Sequence, residues 1–201
     1  MTRQIVFATG NPHKLAEIRQ ILPERFQVLS LADIHFHADI VETASTLEGN
    51  ALLKARAVRL RTPLPCFADD TGLEVLALGG APGVRTARYA LPDPSPEACM
   101  RKLLGEMQKK TDRRARFRTV IALIDSEGEH LFQGIVRGYI TQSPRGTLGW
   151  GYDPVFQPEE SPLTFAQMEP RRKNLLSHRA RALRALQAYL GGDPGSARPA
   201  T

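Results

Sequence analysis

Apolar and polar positions follow two periods along the chain, and their order outlines the elements. The run Ile5-Val6-Phe7-Ala8 predicts a buried strand over 4–8, closed by Gly10. Asn11 before Pro12 reads as a helix start, with Asn11 as N-cap and Pro12 at the first helical position. Leu15, Ile18, Ile21 and Leu22 then recur at helical spacing until Pro23. A second strand follows at Phe26–Leu29, and 30–45 is irregular. Ser45 with Glu48 has the spacing of a capping box. It opens a helix to about Leu60, with Leu47, Ala51, Ala55 and Val58 on one side and Pro63 and Pro65 beyond it. Residues 66–69, CFAD, read as a short strand ending in acids. Glycines and prolines make 79–94 a long irregular connection. Ser95-Pro96 starts another helix, striped by Met100, Leu103, Leu104 and Met107. Phe117–Asp125 and Leu131–Ile140 read as two strands, expected antiparallel, joined by a turn at Ser126-Glu127-Gly128. Residues 141–154 are a loop rich in Gly and Pro. Ser177 caps a last helix carrying Ala180, Leu183, Leu186 and Leu190 inward. The stretch 191–201 has no core-forming residue and is expected to be disordered. Strands alternating with helices around a central strand pair indicate a mixed α/β sheet.

Composition narrows the class. A chain of 201 residues that is 42% hydrophobic and 24% charged is ordinary globular usage, enough for one sizeable core or two small lobes. The chain has no run of eighteen apolar residues, so no membrane partner is expected. The opening residues lack a signal-peptide pattern, and two cysteines, Cys66 and Cys99, make no disulfide framework, so a cytoplasmic setting is expected. The net charge of +6 points to an anionic partner, a nucleic acid or a phosphorylated small molecule. Arginines gather at Arg113, Arg114, Arg116 and Arg118, and again with Lys173 from Arg171 to Arg184. Aromatics are only 6% and do not interleave with these charges, which argues against a single-strand stacking platform.

Four stretches can carry chemistry. Thr9-Gly10-Asn11-Pro12-His13-Lys14 joins the first strand to the first helix. Amides at a helix start bind phosphate oxygens, and Lys14 adds a point charge, although the same turn serves as a plain connection. Asp69-Asp70 at a strand end are costly unless solvated, paired or metal-bound. Successive strand residues face opposite ways, so at most one of them meets a given pocket. Such oxygens suit Mg²⁺, with Glu42 as a possible second ligand, or they cap a local turn. Gly149-Trp150-Gly151-Tyr152-Asp153 can bring an aromatic face and amides to a flat base, or simply bury its Trp. His178 and Arg179, in the first turn after Ser177, are disfavoured there by the helix dipole, so they are either solvated or donors to a ligand.

Taken in order, these motifs resemble the inosine triphosphate pyrophosphatase family from about residue 4 to 190. The segments that carry the likeness are ATGNPHKLAEI, ETASTLEGNALLKA, FADDTGLEVLALGGAPGVRTARYA, GWGYDPVF and KNLLSHR. The resemblance implies an α/β fold of two lobes, a mixed sheet flanked by helices with the active-site cleft between the lobes. Residues 1–190 would form a single catalytic domain, and the protein would be a homodimer. It also implies Mg²⁺-dependent hydrolysis of ITP, dITP and XTP to the monophosphate and pyrophosphate, clearing deaminated purines from the nucleotide pool, with no stable nucleic-acid partner. By motif position, Thr9, Gly10, Asn11, Pro12, His13 and Lys14 would meet the triphosphate. Glu42 and Asp70 would serve the metal, Asp70 also accepting the proton of the attacking water. Thr71, Trp150, Gly151, Tyr152, Asp153, Lys173, His178 and Arg179 would complete the nucleotide site. Thr71 stands where the family often has Ser, and Trp150 where it often has Phe. Both keep the hydroxyl or aromatic chemistry.

Overall fold

In a computed structural model, residues 2–191 are described. Seven strands form one mixed sheet in the order β2-β1-β3-β5-β6-β7, with β4 paired to β3. The strands are β1 (Arg3–Phe7), β2 (Phe26–Leu29), β3 (Cys66–Val75), β4 (Pro82–Gly83), β5 (Arg114–Ile124), β6 (Glu129–Ile140) and β7 (Phe156–Pro158). The helices are α1 (Pro12–Ile21), α2 (Leu47–Arg59), α3 (Pro96–Glu106), α4 (Pro170–Leu176) and α5 (His178–Leu190). The pairs β1/β2 and β1/β3 are parallel, while β3/β4 and β6/β7 are antiparallel. The tail expected over 191–201 lies outside the described residues, Gly191 excepted. Among the described residues, no helix is long and apolar enough to cross a membrane.

The chain divides into two compact units. The first takes residues up to Asp70, Thr119–Gly134 and those from Arg179 on. Its core joins Ile5 and Phe7 of β1, Phe67 of β3, Ile18 and Leu22 of the α1 stretch, and Leu183 and Leu186 of α5. Phe7 and Phe67 stack at 4.7 Å and are register partners across β1/β3. Asn11 caps α1 as its sequence predicts, its side chain accepting the His13 and Lys14 amides at 2.9 and 3.3 Å. α2 starts one residue later than the Ser45 reading. Thr46 is its N-cap and accepts the Gly49 amide. That register turns Leu47, Asn50, Ala51, Lys54, Ala55 and Val58 to the buried side together.

The second unit takes Thr71–Arg118 and Ile135–His178. Leu103 and Met107, from α3 and its C-cap, meet Phe117 of β5, Phe156 of β7, Phe165 and Tyr152. Ser95 caps α3 by accepting the Ala98 amide. Gly138 lets β7 pair closely with β6, since a Cβ there would lie 2.3 Å from the Gln157 carbonyl oxygen. The sequence reading did not find α4, β7 or β4, which have 7, 3 and 2 residues. It also ended β3 at Asp69, whereas the strand runs on to Val75.

Candidate functional site

The acids of β3 explain that longer strand. Their alternation turns Asp69 and Asp70 to different partners, and each finds cations. Asp69 accepts Lys14 Nζ at 2.9 Å and Arg179 Nε at 3.2 Å. Arg179 also pairs with Glu17 of α1. Asp70 accepts the Asn50 side-chain amide at 3.2 Å and lies 3.5 Å from Lys54 Nζ. Lys54 in turn donates to Glu42 at 2.7 Å. All these residues belong to the first unit. With those partners supplied by α1, α2 and α5, carboxylates need not mark the end of a strand.

The electrostatics distinguish the two acids. Burial would raise the Asp69 carboxyl, but Lys14, Arg179 and Lys54 together hold it well below the usual carboxylate range. Lys14 does not gain symmetrically. Burial lowers it, Asp69 opposes this, and the neighbouring Arg179 and Lys54 lower it further. Asp70 moves the other way. Burial pushes it up with help from Glu42, and Lys54, Lys14 and Asn50 only partly offset the rise. Burial would lower Lys54, but Asp70, Asp69 and Glu42 more than compensate and raise it. Asp69 is therefore a fixed anion, while Asp70 is tuned towards proton acceptance.

Glu42 and Asp70 converge on one cationic position, the Lys54 ammonium. Among the described residues no group of three His, Cys, Asp or Glu could hold a metal ion. Two carboxylates still fit Mg²⁺, which takes one or two from protein and completes its shell with water and substrate phosphate. In the Thr9–Lys14 turn, the Asn11 amide donates to Thr9 Oγ1. With the His13 and Lys14 amides on Asn11 and the Thr9 amide on the Phe7 carbonyl, four amides of this turn have protein partners. Gly10, Pro12 and His13 are exposed, and open space surrounds Gly10.

The remaining expected residues lie in the second unit. Asp153 accepts the Trp150 amide at 2.9 Å and Lys173 Nζ at 2.8 Å, and both its side chain and that of Lys173 are buried. Gly149 has φ +76°, and a Cβ there would lie 2.1 Å from Asp153 Oδ2. Tyr152 is buried, its hydroxyl donating to the Thr86 carbonyl at 3.0 Å. His178 is buried and stacks on Phe117 at 4.6 Å. Thr71 lies on β3. Of the two alternatives for His178 and Arg179, solvated cations or donors to a ligand, the solvated one needs correcting. Both are buried, one against an aromatic ring and the other against two carboxylates. In the arginine cluster, Arg114 pairs with Asp112, Arg116 with Glu74, and Arg113 donates to three backbone carbonyls.

A model of the Ham1 family matches residues 5–189, nearly the whole chain. The chain belongs to the Ham1 family. A relative from Porphyromonas gingivalis, a dITP/XTP pyrophosphatase, is 53% identical over 188 residues, covering 93% of this chain and 97% of its own. One from Flavobacterium psychrophilum, with the same name, is 51% identical over 91% of this chain and 96% of its own. The solved Ham1 protein of Staphylococcus aureus superposes with a TM-score of 0.86 at 38% identity, covering 95% of this chain and all of that one.

Against this Ham1 framework, the sequence reading missed Lys54, Asn50 and Glu17. Lys54 and Asn50 stand on the stripe of α2 whose other members are Leu47, Ala51, Ala55 and Val58. A lysine and an asparagine at apolar-face positions of an amphipathic helix were the available signal, since buried polar groups need partners. Glu17 carries no such mark, because α1 places it without regard to Arg179, 162 residues away.

Proposed function

We propose that this chain is a pyrophosphatase of non-standard purine nucleoside triphosphates, hydrolysing ITP, dITP and XTP to the monophosphate and pyrophosphate. The relatives named dITP/XTP pyrophosphatase support the substrate class. The observation that carries the chemistry is Asp70, a buried carboxylate held beside Lys54 and near Glu42, whose burial raises it from its ordinary value.

In this reading, Asp70 accepts a proton from water as the water oxygen bonds to the α-phosphorus. The α–β anhydride bond breaks and pyrophosphate leaves with the electron pair. A base whose pKa is lifted towards the working pH is the better acceptor. Glu42 and Asp70 would hold Mg²⁺, which when bound neutralises developing phosphate charge. Thr9, Gly10, Asn11, Pro12, His13 and Lys14 would serve the triphosphate, with Lys54 adding charge. Thr71, Trp150, Gly151, Tyr152, Asp153, Lys173, His178 and Arg179 would serve the nucleoside, Tyr152, Asp153 and Lys173 by holding the loop. Arg179, oriented by Asp69 and Glu17, would donate to the 6-oxo group of hypoxanthine or xanthine. Adenine offers a 6-amino donor there, and a donor facing a donor is rejected. Residues 1–190 would act as one catalytic domain, as a homodimer in the cytoplasm, where the free thiols Cys66 and Cys99 suit reducing conditions.

The test is hydrolysis of ITP in ¹⁸O-water with and without Mg²⁺. Pyrophosphate as product, label on the monophosphate and dependence on Mg²⁺ are expected. Release of orthophosphate alone, with the label on it, would refute attack at the α-phosphorus.

A further inference from the structure

Thr86 lies in the connection between β3 and α3 and has no part in the chemistry described so far. Its hydroxyl accepts the Leu73 amide of β3 at 2.8 Å and donates to the Gly83 carbonyl at 2.5 Å. Its own carbonyl accepts the Tyr152 hydroxyl at 3.0 Å. Three segments of the second unit therefore meet on one residue: β3, β4 and the aromatic loop. The Tyr152 ring is packed in the core of that unit, where a phenol without a partner would be costly. The Thr86 carbonyl supplies that partner, and the two hydroxyl bonds fix where the carbonyl stands.

The loop is thus seated from two sides. Lys173 holds Asp153, and Asp153 holds the Trp150 amide. Thr86 holds Tyr152, which is joined to Trp150 through Gly151 at φ +66°. Gly151 has open space where a Cβ would be, so side-chain packing does not fix this position. These side-chain anchors add to the backbone bonds of the loop, such as the Asp153 amide on the Trp150 carbonyl and the Leu148 amide on the Ala166 carbonyl, in setting the height of the Trp150 ring.

We propose that Thr86 is a positioning residue for base binding, fixing the Gly149–Asp153 loop through the Tyr152 hydroxyl. This rests on the reading that the loop meets the purine. Losing a buried hydrogen bond weakens whatever geometry it held by about fivefold to tenfold, so the effect belongs in KM for the nucleotide. The reacting phosphorus lies at the other end of the substrate, so kcat stays near wild type.

The experiment uses the full chain with Thr86→Val, Thr86→Ser and Tyr152→Phe. Trp150 is the sole tryptophan, so acrylamide quenching of its fluorescence reports the loop without nucleotide. Thr86→Val is expected to raise KM for ITP about fivefold to tenfold and to increase the quenching constant. Thr86→Ser keeps both hydroxyl bonds and should match wild type in both measures. Tyr152→Phe cuts the same link from the other end. It should reproduce the KM rise, and it gives the same comparison if Thr86→Val melts below assay temperature. Combined, Thr86→Val and Tyr152→Phe should raise KM no further than either alone. A wild-type KM and quenching constant in Thr86→Val and Tyr152→Phe, with only a lowered melting temperature, would overturn the proposal. A wild-type chain inactive towards every 6-oxo purine triphosphate would instead overturn the reading beneath it.

Discussion

Replacing Asp69 with Asn separates the fixed anion from the reactive one. The substitution keeps shape and removes charge from a side chain that is 1% exposed, leaving Lys14 at 13% and Arg179 at 2% without their shared carboxylate. Breaking a buried pair by removing one partner costs about 3–5 kcal/mol. Here the low end applies, because Arg179 keeps Glu17 and Lys14 keeps some access to water. A loss of about 3 kcal/mol lowers Tm by roughly 6–12 °C in a chain of this size. The assay is thermal unfolding followed by far-UV circular dichroism at pH 7, beside wild type and Asp70→Asn. The pH dependence gives an independent check. The folded-state pKa of Asp69 is depressed, so its stabilisation is complete above the ordinary value of 3.8 and is lost as pH falls from there towards the folded value. The gap between wild type and Asp69→Asn should therefore be full at pH 5–7, in the terms of that linkage, and close at lower pH. A variant melting within about 2 °C of wild type at pH 7, less than 1 kcal/mol, would refute the reasoning. So would a gap that widens on acidification.

Asp70→Asn should lower kcat about 100-fold or more, the scale of losing a general base, at near-wild-type Tm. The fold already raises the pKa of this carboxyl, so neutralising it removes no stabilisation at neutral pH, and steady-state kinetics beside a melt decide it. Gly149→Ala should be more damaging than Gly151→Ala. Both have positive φ, worth about 1–2 kcal/mol for a residue with a Cβ. Only at Gly149 does the added atom strike Asp153, and urea unfolding compares the two. Arg179→Lys should lower kcat/KM for ITP more than for ATP, because an ammonium cannot reproduce the guanidinium fork between Asp69 and Glu17. An unchanged ratio of the two substrates would move base selection away from Arg179.

Where local chemistry sets an element, the sequence discloses it. Asn11-Pro12 and Ser95-Pro96 each start a helix at the expected residue, because capping needs only a side chain and the next few amides. Leu47, Ala51, Ala55 and Val58 are buried as their spacing requires. Elements that draw their stability from partners elsewhere are not legible in this way. β7 is three residues long and exists by pairing with Tyr139 and its neighbours on β6. α4 lies in a basic stretch, and its buried Lys173 makes sense only once Asp153 is beside it.

The same distinction applies to the site, and it explains which residues were misjudged. Sequence reasoning treats each charge according to its own neighbours, so Asp69-Asp70 reads as acids at a strand end that need solvent, a partner or a metal, and Arg179 as a cation that is either solvated or awaiting a ligand. The fold assembles Lys14, Glu17, Asp69 and Arg179 from α1, β3 and α5, and Glu42, Asn50, Lys54 and Asp70 from a loop, α2 and β3. In the first group, the cations on Asp69 outweigh its burial and the carboxyl is driven down. In the second, burial with help from Glu42 outweighs Lys54, the more distant Lys14 and the Asn50 amide, and the carboxyl is driven up. Adjacent residues of identical chemistry thereby acquire opposite characters, and the one whose carboxylate is the stronger base is the one suited to take a proton from water.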